Sequence, residues 1–228
     1  MGIIGVVAAL TLPNLNSSTD EKEKVAKVKK FYSEYSDAFG RAEAVYGPVD
    51  EWFANDTTDA DKRKRFADRL TEFMKLSKSC QTGTGCFTSG NTKRFRPEVP
   101  GGTYNYDGVT SYYKYVLADG MSLGFMDGSG ASDILGAVVI DIDGPNHGGY
   151  TLGKDVFIMS ITKDGTLKSW SDPSYSFDDL RDDCFENGEQ CTGWIMATGN
   201  MDYLKADSHG KCPDGKTILD YTTNTTCK

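Results

Sequence analysis

The sequence predicts an α+β protein in which a long N-terminal α-helix packs on an antiparallel β-meander and the loops are stapled by disulfides. Three observations predict this fold. Apolar residues recur at helical spacing near the N-terminus, β-branched runs separated by Asp-Gly pairs fill the middle, and cysteines lie in close pairs within polar, glycine-rich segments. With 228 residues, of which 38% are hydrophobic, the chain is long and apolar enough to bury a core.

The net charge of −8 argues against a nucleic-acid partner, because binding to phosphates requires a basic surface. Positive charge is concentrated locally, in "EKEKVAKVKK" and "DKRKRF", where acidic residues are interleaved. These two stretches are interpreted as solvated helix faces.

The N-terminal helix is predicted from two patterns on either side of Pro13. Residues 2–10 are free of polar and charged side chains, whereas after Pro13 the apolar residues follow three- and four-residue steps. We expect one long helix that is kinked or interrupted near Pro13 and ends at Gly47-Pro48. Its apolar stripe comprises Val25, Val28, Tyr32, Tyr35, Phe39 and Ala42.

A second helix is predicted in residues 59–80, and an irregular, Gly-, Thr- and Pro-rich loop in residues 80–108. The helix would turn Phe66, Leu70, Phe73 and Met74 toward the core. Beyond Asp172 the tail is polar, with a short helical turn expected in "SFDDLRDDC".

The β part is predicted from about Tyr112 onward. Two hairpins turn at Asp119-Gly120 and at Asp164-Gly165, and the β-branched run "GAVVIDID" forms a strand between them. Because these four or five strands are joined by local connections, the sequence favours a meander.

The six cysteines predict disulfides and an oxidising compartment. Fifteen pairings of six cysteines are possible, and we adopt the pairing of sequence neighbours. A zinc site is the weaker alternative, because no spacing is C-x2-C and the two histidines lie far apart in the sequence. The neighbouring pairs are Cys80 with Cys86, Cys184 with Cys191, and Cys212 with Cys227.

The segment "DIDGPNHGGYTLGKD" is a candidate calcium site. Its carboxylates repel one another unless a hard cation neutralises them. It is not an EF-hand, since Leu152 occupies the position of the twelfth-residue glutamate. The alternative is that these side chains cap strands and shape the turn. The candidate ligands are Asp141, Asp143, Asn146 and Asp155.

Tyrosines are abundant in "TYNYDGVTSYYKY", where alternating spacing favours cross-strand packing over the binding of a glycan or a partner.

Catalysis has little support, because the nucleophile-elbow, zinc-protease and P-loop motifs do not occur in the sequence. We therefore predict a protein that is not an enzyme.

The stretch "GIIGVVAALTLPNL" resembles the latter half of the N-terminal segment of type IV pilins and type II secretion pseudopilins. In that family, an apolar helix rich in small residues reaches a proline and continues as an amphipathic helix, as "KVKKFYSEYSDAFGRAEAVYGPV" does here. The block "VVIDIDGPNHGGYTLGKDVFIMSI" also resembles a segment common in bacterial pilin-like proteins. The family's leader peptide, cleavage site and glutamate would lie upstream of Met1, so we interpret residues 1–15 as a truncated hydrophobic helix.

The resemblance implies a structural subunit of a type IV pilus or a type II secretion pseudopilus. Residues 1–15 would be the membrane and filament segment, and residues 16–228 a pilin-like α+β head with a disulfide-bearing C-terminal region. The subunit would be anchored in the bacterial inner membrane, with its head in the periplasm or outside the cell, and would then join a surface filament or pseudopilus by packing against itself and other pilin-like subunits. Some pseudopilins hold calcium in a loop of this general region. The assembly residues would be Ile3, Ile4, Val6, Val7, Leu10, Leu12 and Pro13.

Two alternatives remain open at this point. Residues 3–12 could be a core helix or the remnant of an export signal, in which case the chain would be a secreted extracellular binding module, for instance for glycans. An extracellular hydrolase that uses pairs of aspartates is the third hypothesis.

Overall fold

The computed structural model describes residues 3–53, 58–96, 103–126, 134–145, 147, 149–169 and 177–227, and the side chains of residues 3–18, 177 and 178 lie outside the description. Within these ranges the chain is an α+β protein with four α-helices and one mixed sheet of eight strands. The helices are α1 (Ile3–Tyr46), α2 (Asp59–Thr71), α3 (Phe177–Asn187) and α4 (Cys191–Thr198). The strands are β1 (Leu76–Gln81), β2 (Lys93–Arg94), β3 (Tyr113–Leu117), β4 (Ser122–Met126), β5 (Ile134–Asp141), β6 (Thr151–Leu152), β7 (Val156–Thr162) and β8 (Leu167–Ser169).

Helix α1 is a single helix of 44 residues, about 66 Å long at a rise of about 1.5 Å per residue. The helix runs through Pro13 without an interruption. Of the two expectations at Pro13, a kink or an interruption, the interruption is therefore wrong. The helix ends at Tyr46. Gly47 follows with a left-handed φ of 78° and donates its N–H to the Glu43 carbonyl, which is the termination that the Gly-Pro pair predicts.

The buried stripe of α1 contains five of the six predicted residues, with Phe31 in place of Tyr32 and with Ala38 in addition. Phe31 is fully buried, whereas Tyr32 is only half-buried. Both residues lie within one turn of Val28 and Tyr35, so helical spacing alone cannot choose between them, and the contact with the sheet selects Phe31.

The second helix is shorter than predicted. Thr58 caps α2 by accepting a hydrogen bond from the Asp61 N–H, and the helix ends at Thr71. Phe66 and Leu70 are buried as expected. The prediction of a helix through residue 80 is wrong, because residues 76–81 form β1 and pair with β3. Serine is a poor helix former, and pairing with β3 satisfies backbone groups of this stretch.

Both predicted hairpins and the strand between them are confirmed. Strands β3 and β4 pair antiparallel around Asp119-Gly120, and β7 and β8 pair antiparallel around Asp164-Gly165. Strand β5 lies between β4 and β7 and pairs antiparallel with both.

The prediction of an antiparallel β-meander is nevertheless wrong. The strand order is β1-β3-β4-β5-β7-β6-β2, with β8 also paired to β7, and β6 is parallel to both β2 and β7. Strands β2 and β6 have two residues each, too few to show an alternation of apolar and polar side chains. These short parallel additions turn the expected meander into a mixed sheet, while β1 adds an antiparallel strand at the other edge.

Both faces of the sheet are covered, and the central strands are therefore buried on both sides. On one face Val138 and Ile140 pack with the helices, and on the other Val139 packs with loop residues such as Phe87 and Tyr106. Adjacent residues of β5 thus enter different hydrophobic clusters, as the pleat of a strand requires.

The C-terminal region is more ordered than its polar composition predicts. The expected helical turn is part of α3, and the unexpected helix α4 buries Trp194 and Ile195 completely. All three predicted disulfides are present with the predicted partners: Cys80–Cys86, Cys184–Cys191 and Cys212–Cys227.

Candidate functional site

Three of the four predicted calcium ligands meet at one end of the sheet. Asp141 is the last residue of β5, Asp143 follows in the turn, and Asp155 immediately precedes β7. The backbone N–H of Ile142 donates to the Asp155 carbonyl at 3.0 Å, which holds the two chain segments side by side. Asn146 lies outside the described residues.

Lys24 of α1 supplies a positive charge to this end of the sheet. Its Nζ atom donates to Asp155 Oδ1 at 2.5 Å and lies 3.9 Å from Asp143 Oδ2 and 3.7 Å from Asp20 Oδ2. Only 7% of Lys24 and 1% of Asp155 are exposed. Burial by itself lowers the pKa of Lys24, but the hydrogen bond and charge of Asp155, together with Asp20 and Asp143, raise that pKa above its usual 10.5.

Lys27 lies one turn further along the same face of α1. Its Nζ atom donates to Asp143 Oδ1 at 3.0 Å and lies 3.3 Å from Glu23 Oε1. Burial opposes the charged form of Lys27, whereas both carboxylates favour it, and the net effect raises the pKa of the lysine. Each of these two lysines therefore stays charged and faces a carboxylate of the turn.

Asp141 differs from its two neighbours because no lysine is within ion-pair distance of it among the described pairs. Its Oδ1 atom accepts hydrogen bonds from the N–H groups of Asp143 at 3.1 Å and Gly144 at 3.2 Å, whereas its buried Oδ2 atom has no hydrogen-bond partner among the described residues. Burial raises the pKa of Asp141 to about 7. The backbone hydrogen bonds oppose this rise, and the nearby charges of Asp143 and Asp155 add to it.

The positive charge that the sequence led us to expect from calcium is present as lysine ammonium groups. Among the residues that the structure describes, no group of three or more His, Cys, Asp or Glu side chains could hold a metal ion. Calcium binding stays a prediction of the sequence, and the shift in melting temperature on adding a chelator is the measurement that tests it.

The lysines of this face were interpreted from the sequence as solvated, and for Lys24 that interpretation is wrong. The regular spacing of Lys24, Lys27 and Lys30 is the signal that could have revealed a shared face. Lys30 donates to Asp119 Oδ2 at 2.5 Å, in the turn between β3 and β4. On the neighbouring face, Lys205 lies 3.4 Å from Glu21. We call residues 20–30 of α1 the charged segment.

Residues 31–42 of α1 contact the head in a different way, and we call them the aromatic segment. Tyr35 stacks on Phe39 with ring centroids 6.1 Å apart, and Phe39 contacts Trp52 at 5.6 Å. The hydroxyl of Tyr35 donates to the Gly165 carbonyl at 3.0 Å. Gly165 has a φ of 77°, and a Cβ atom there would lie 1.7 Å from the Phe39 ring, so glycine is required at the hairpin tip for two reasons.

The predicted assembly residues all lie in the N-terminal part of α1. These are Ile3, Ile4, Val6, Val7, Leu10, Leu12 and Pro13, and their backbone is helical whereas their side chains lie outside the description. From Thr19 onward, the first buried side chain is that of Lys24. The 21 residues before it correspond to about 32 Å of helix.

The tyrosines divide into two groups. Tyr113 and Tyr115 lie on β3, and Tyr115 contacts Phe125 of the paired strand β4 edge-on, as the packing interpretation predicts. Tyr104, Tyr106 and Tyr112 lie instead in the loop before β3.

In the helices that the structure describes, no stretch is both long and apolar enough to cross a membrane. Comparisons of the chain with protein-family models, with characterised proteins and with solved structures found no match.

Proposed function

We propose that the chain is a structural, non-enzymatic subunit of a type IV pilus or a type II secretion pseudopilus that assembles through the N-terminal part of α1. The observation that carries the proposal is that one continuous helix consists of two different parts. Its C-terminal half packs on a disulfide-bearing α+β head, and the helix continues for 21 residues N-terminal to Lys24.

The composition of the N-terminal part supports a role in helix–helix packing. Residues 2–10 contain no polar or charged side chain, and small residues recur within them at Gly2, Gly5, Ala8 and Ala9. Small residues let helices approach closely in a membrane, and a helix that is apolar all round is stable in lipid or among other helices. The same surface would serve before assembly in the inner membrane and afterwards in the core of the filament.

The test compares two substitutions of the same type at opposite ends of α1. Val7→Asp places a charge in the proposed assembly surface, whereas Val45→Asp changes a side chain that is 61% exposed on the head. In the organism that produces the chain, we expect wild type and Val45→Asp in filaments sheared from the cell surface. Val7→Asp should be present in whole cells but lost from the sheared fraction.

Thermal unfolding of the purified chains separates assembly from folding. We expect the head of Val7→Asp to melt at the wild-type temperature. A large drop in its melting temperature would support the core-helix alternative, and wild-type protein that never enters a filament fraction would overturn the proposal.

A further inference from the structure

Tyr104 presents an aromatic ring at the surface of the head, on the side of the sheet opposite to α1. The residue is 39% exposed, and its ring stacks on Tyr106 with centroids 5.6 Å apart and planes inclined by 24°. Tyr106 in turn packs against Phe87, with ring centroids 6.1 Å apart. The exposed ring is thus supported from behind by two buried aromatic side chains.

Polar side chains from three separate segments surround this ring. The Tyr104 hydroxyl donates to Glu189 Oε1 at 3.0 Å, in the turn between α3 and α4. Burial and the charge of Glu189 raise the pKa of Tyr104 to about 12, and the nearby charge of Arg94 of β2 opposes this rise. The Nη1 atom of Arg94 donates to Asn187 Oδ1 at 2.8 Å. We call Tyr104, Tyr106, Arg94, Asn187 and Glu189 the tyrosine patch.

Tyr106, the residue on which the exposed ring stacks, is buried. The residue is 1% exposed, and its Oη atom has no hydrogen-bond partner among the described residues. Burial raises the pKa of Tyr106 well above its usual value, and the nearby charges of Tyr104 and Glu189 add to the rise. The Tyr106 ring therefore stays neutral and acts as a buried support for the exposed ring of Tyr104.

We propose that the tyrosine patch binds a neutral saccharide. Sugars carry hydroxyl groups that both donate and accept, and so can bond to a carboxylate such as that of Glu189 and to a guanidinium such as that of Arg94 together. The apolar C–H face of a sugar ring covers a flat tyrosine ring that is fixed by packing from behind. Since the patch contains charges of both signs, it favours neither an anion nor a cation.

This inference does not depend on filament assembly, because α1 contributes no residue to the tyrosine patch. If the chain is a filament subunit, the patch would give its head an affinity for carbohydrate surfaces. If it is not, the same patch would still bind a saccharide.

The experiment is calorimetric titration of the full chain with soluble tetrasaccharides of glucose, N-acetylglucosamine, galactose and xylose. We expect binding of at least one of these probes, weakened about tenfold or more by Tyr104→Ala and by Glu189→Gln, a loss of about 1.4 kcal/mol per tenfold. Ile218→Ala is the matched control, because Ile218 is an apolar side chain that is 52% exposed outside the patch.

Absence of binding to all four probes, or binding that Tyr104→Ala leaves unchanged, would overturn the inference. Circular dichroism of each variant shows whether the head remains folded, and Tyr104→Phe keeps the ring while removing only the bond to Glu189. We expect the phenylalanine variant to retain part of the affinity. Val7→Asp should bind the saccharide as wild type does, which separates this test from that of filament assembly.

Discussion

The charged and aromatic segments of α1 attach the same helix to the same head by different physical means. In the charged segment, Lys24 and Lys27 neutralise carboxylates at the end of the sheet. In the aromatic segment, Phe31, Tyr35 and Phe39 bury apolar area against the sheet and its helices. Burial of apolar area is insensitive to moderate salt, whereas exposed ion pairs such as Lys30–Asp119 are screened by it and buried pairs such as Lys24–Asp155 much less so. The charged segment is therefore attached in part through ion pairs whose exposed members respond to salt, and the aromatic segment through buried apolar contacts.

The largest loss of stability is expected from Phe31→Ala in the aromatic segment. Phe31 is fully buried, and truncation of a buried phenylalanine costs about 3–5 kcal/mol through lost transfer free energy and the cavity left behind. This loss is measured as the change in the free energy of unfolding, obtained by denaturation in urea. Tyr32→Ala, at the half-buried neighbouring position, is the control, and equal losses for the two variants would show that the aromatic segment is not packed as described.

The next effect is expected from Lys24→Met in the charged segment. This change leaves Asp155 buried without its counter-charge, a situation that costs about 3 kcal/mol. The double variant Lys24→Met/Asp155→Asn should recover much of the loss, because the uncompensated charge is removed. Lys22→Met at an exposed position is the matched control, and a double variant that is less stable than Lys24→Met would contradict the assignment.

The third effect, a pH-dependent change in the free energy of unfolding, is expected from Asp141. Its pKa rises from 3.8 to about 7 on folding, so the folded state keeps a proton that the unfolded state releases. The resulting stabilisation is complete below pH 3.8 and is lost as the pH rises through 7. The difference in unfolding free energy between wild type and Asp141→Asn, measured from pH 4 to 8, should shift against wild type as the pH increases. A flat difference would show that Asp141 is ionised throughout this range.

The smallest effect is expected from Lys30→Ala. The Lys30–Asp119 pair is half-exposed, and exposed pairs contribute about 0.2–1 kcal/mol. At about 1 M salt, where the Debye length is about 3 Å, the effect should be smaller than at low salt. The loss of unfolding free energy caused by Phe31→Ala should be the same at low salt and at high salt. A salt-dependent loss at Phe31 would remove the distinction between the two segments.

Features determined by neighbouring residues could be predicted from the sequence. The Asp-Gly turns at residues 119 and 164, the end of α1 at Gly47 and the three disulfides all involve residues close together in the chain. The stripe of α1 follows from helical spacing, with Phe31 in place of Tyr32 and with Ala38 in addition as the exceptions. In each case the signal and the structure it determines lie within a few residues of one another.

Features determined by distant partners could not be predicted. Residues 76–81 have no strong strand pattern, and they become β1 because β3 provides a pairing edge. Likewise, the sequence around Lys24 indicates a surface lysine. The residue is buried because the turn carrying Asp155, 131 residues away, packs against it. The tyrosine patch has the same character, since β2, the loop before β3 and the turn before α4 each contribute a part of it.

The positions of the disulfides have a mechanical consequence for α1. All six cysteines lie at or after residue 80, and each bridge closes a loop of 6, 7 or 15 residues. No disulfide joins α1 to the sheet, so only non-covalent contacts keep the helix packed on the sheet when a pulling force is applied to its N-terminal end. The ion pairs of the charged segment would bear that load first and the aromatic contacts only after them. The attachment of α1 to the head would therefore yield from the pulled end inward.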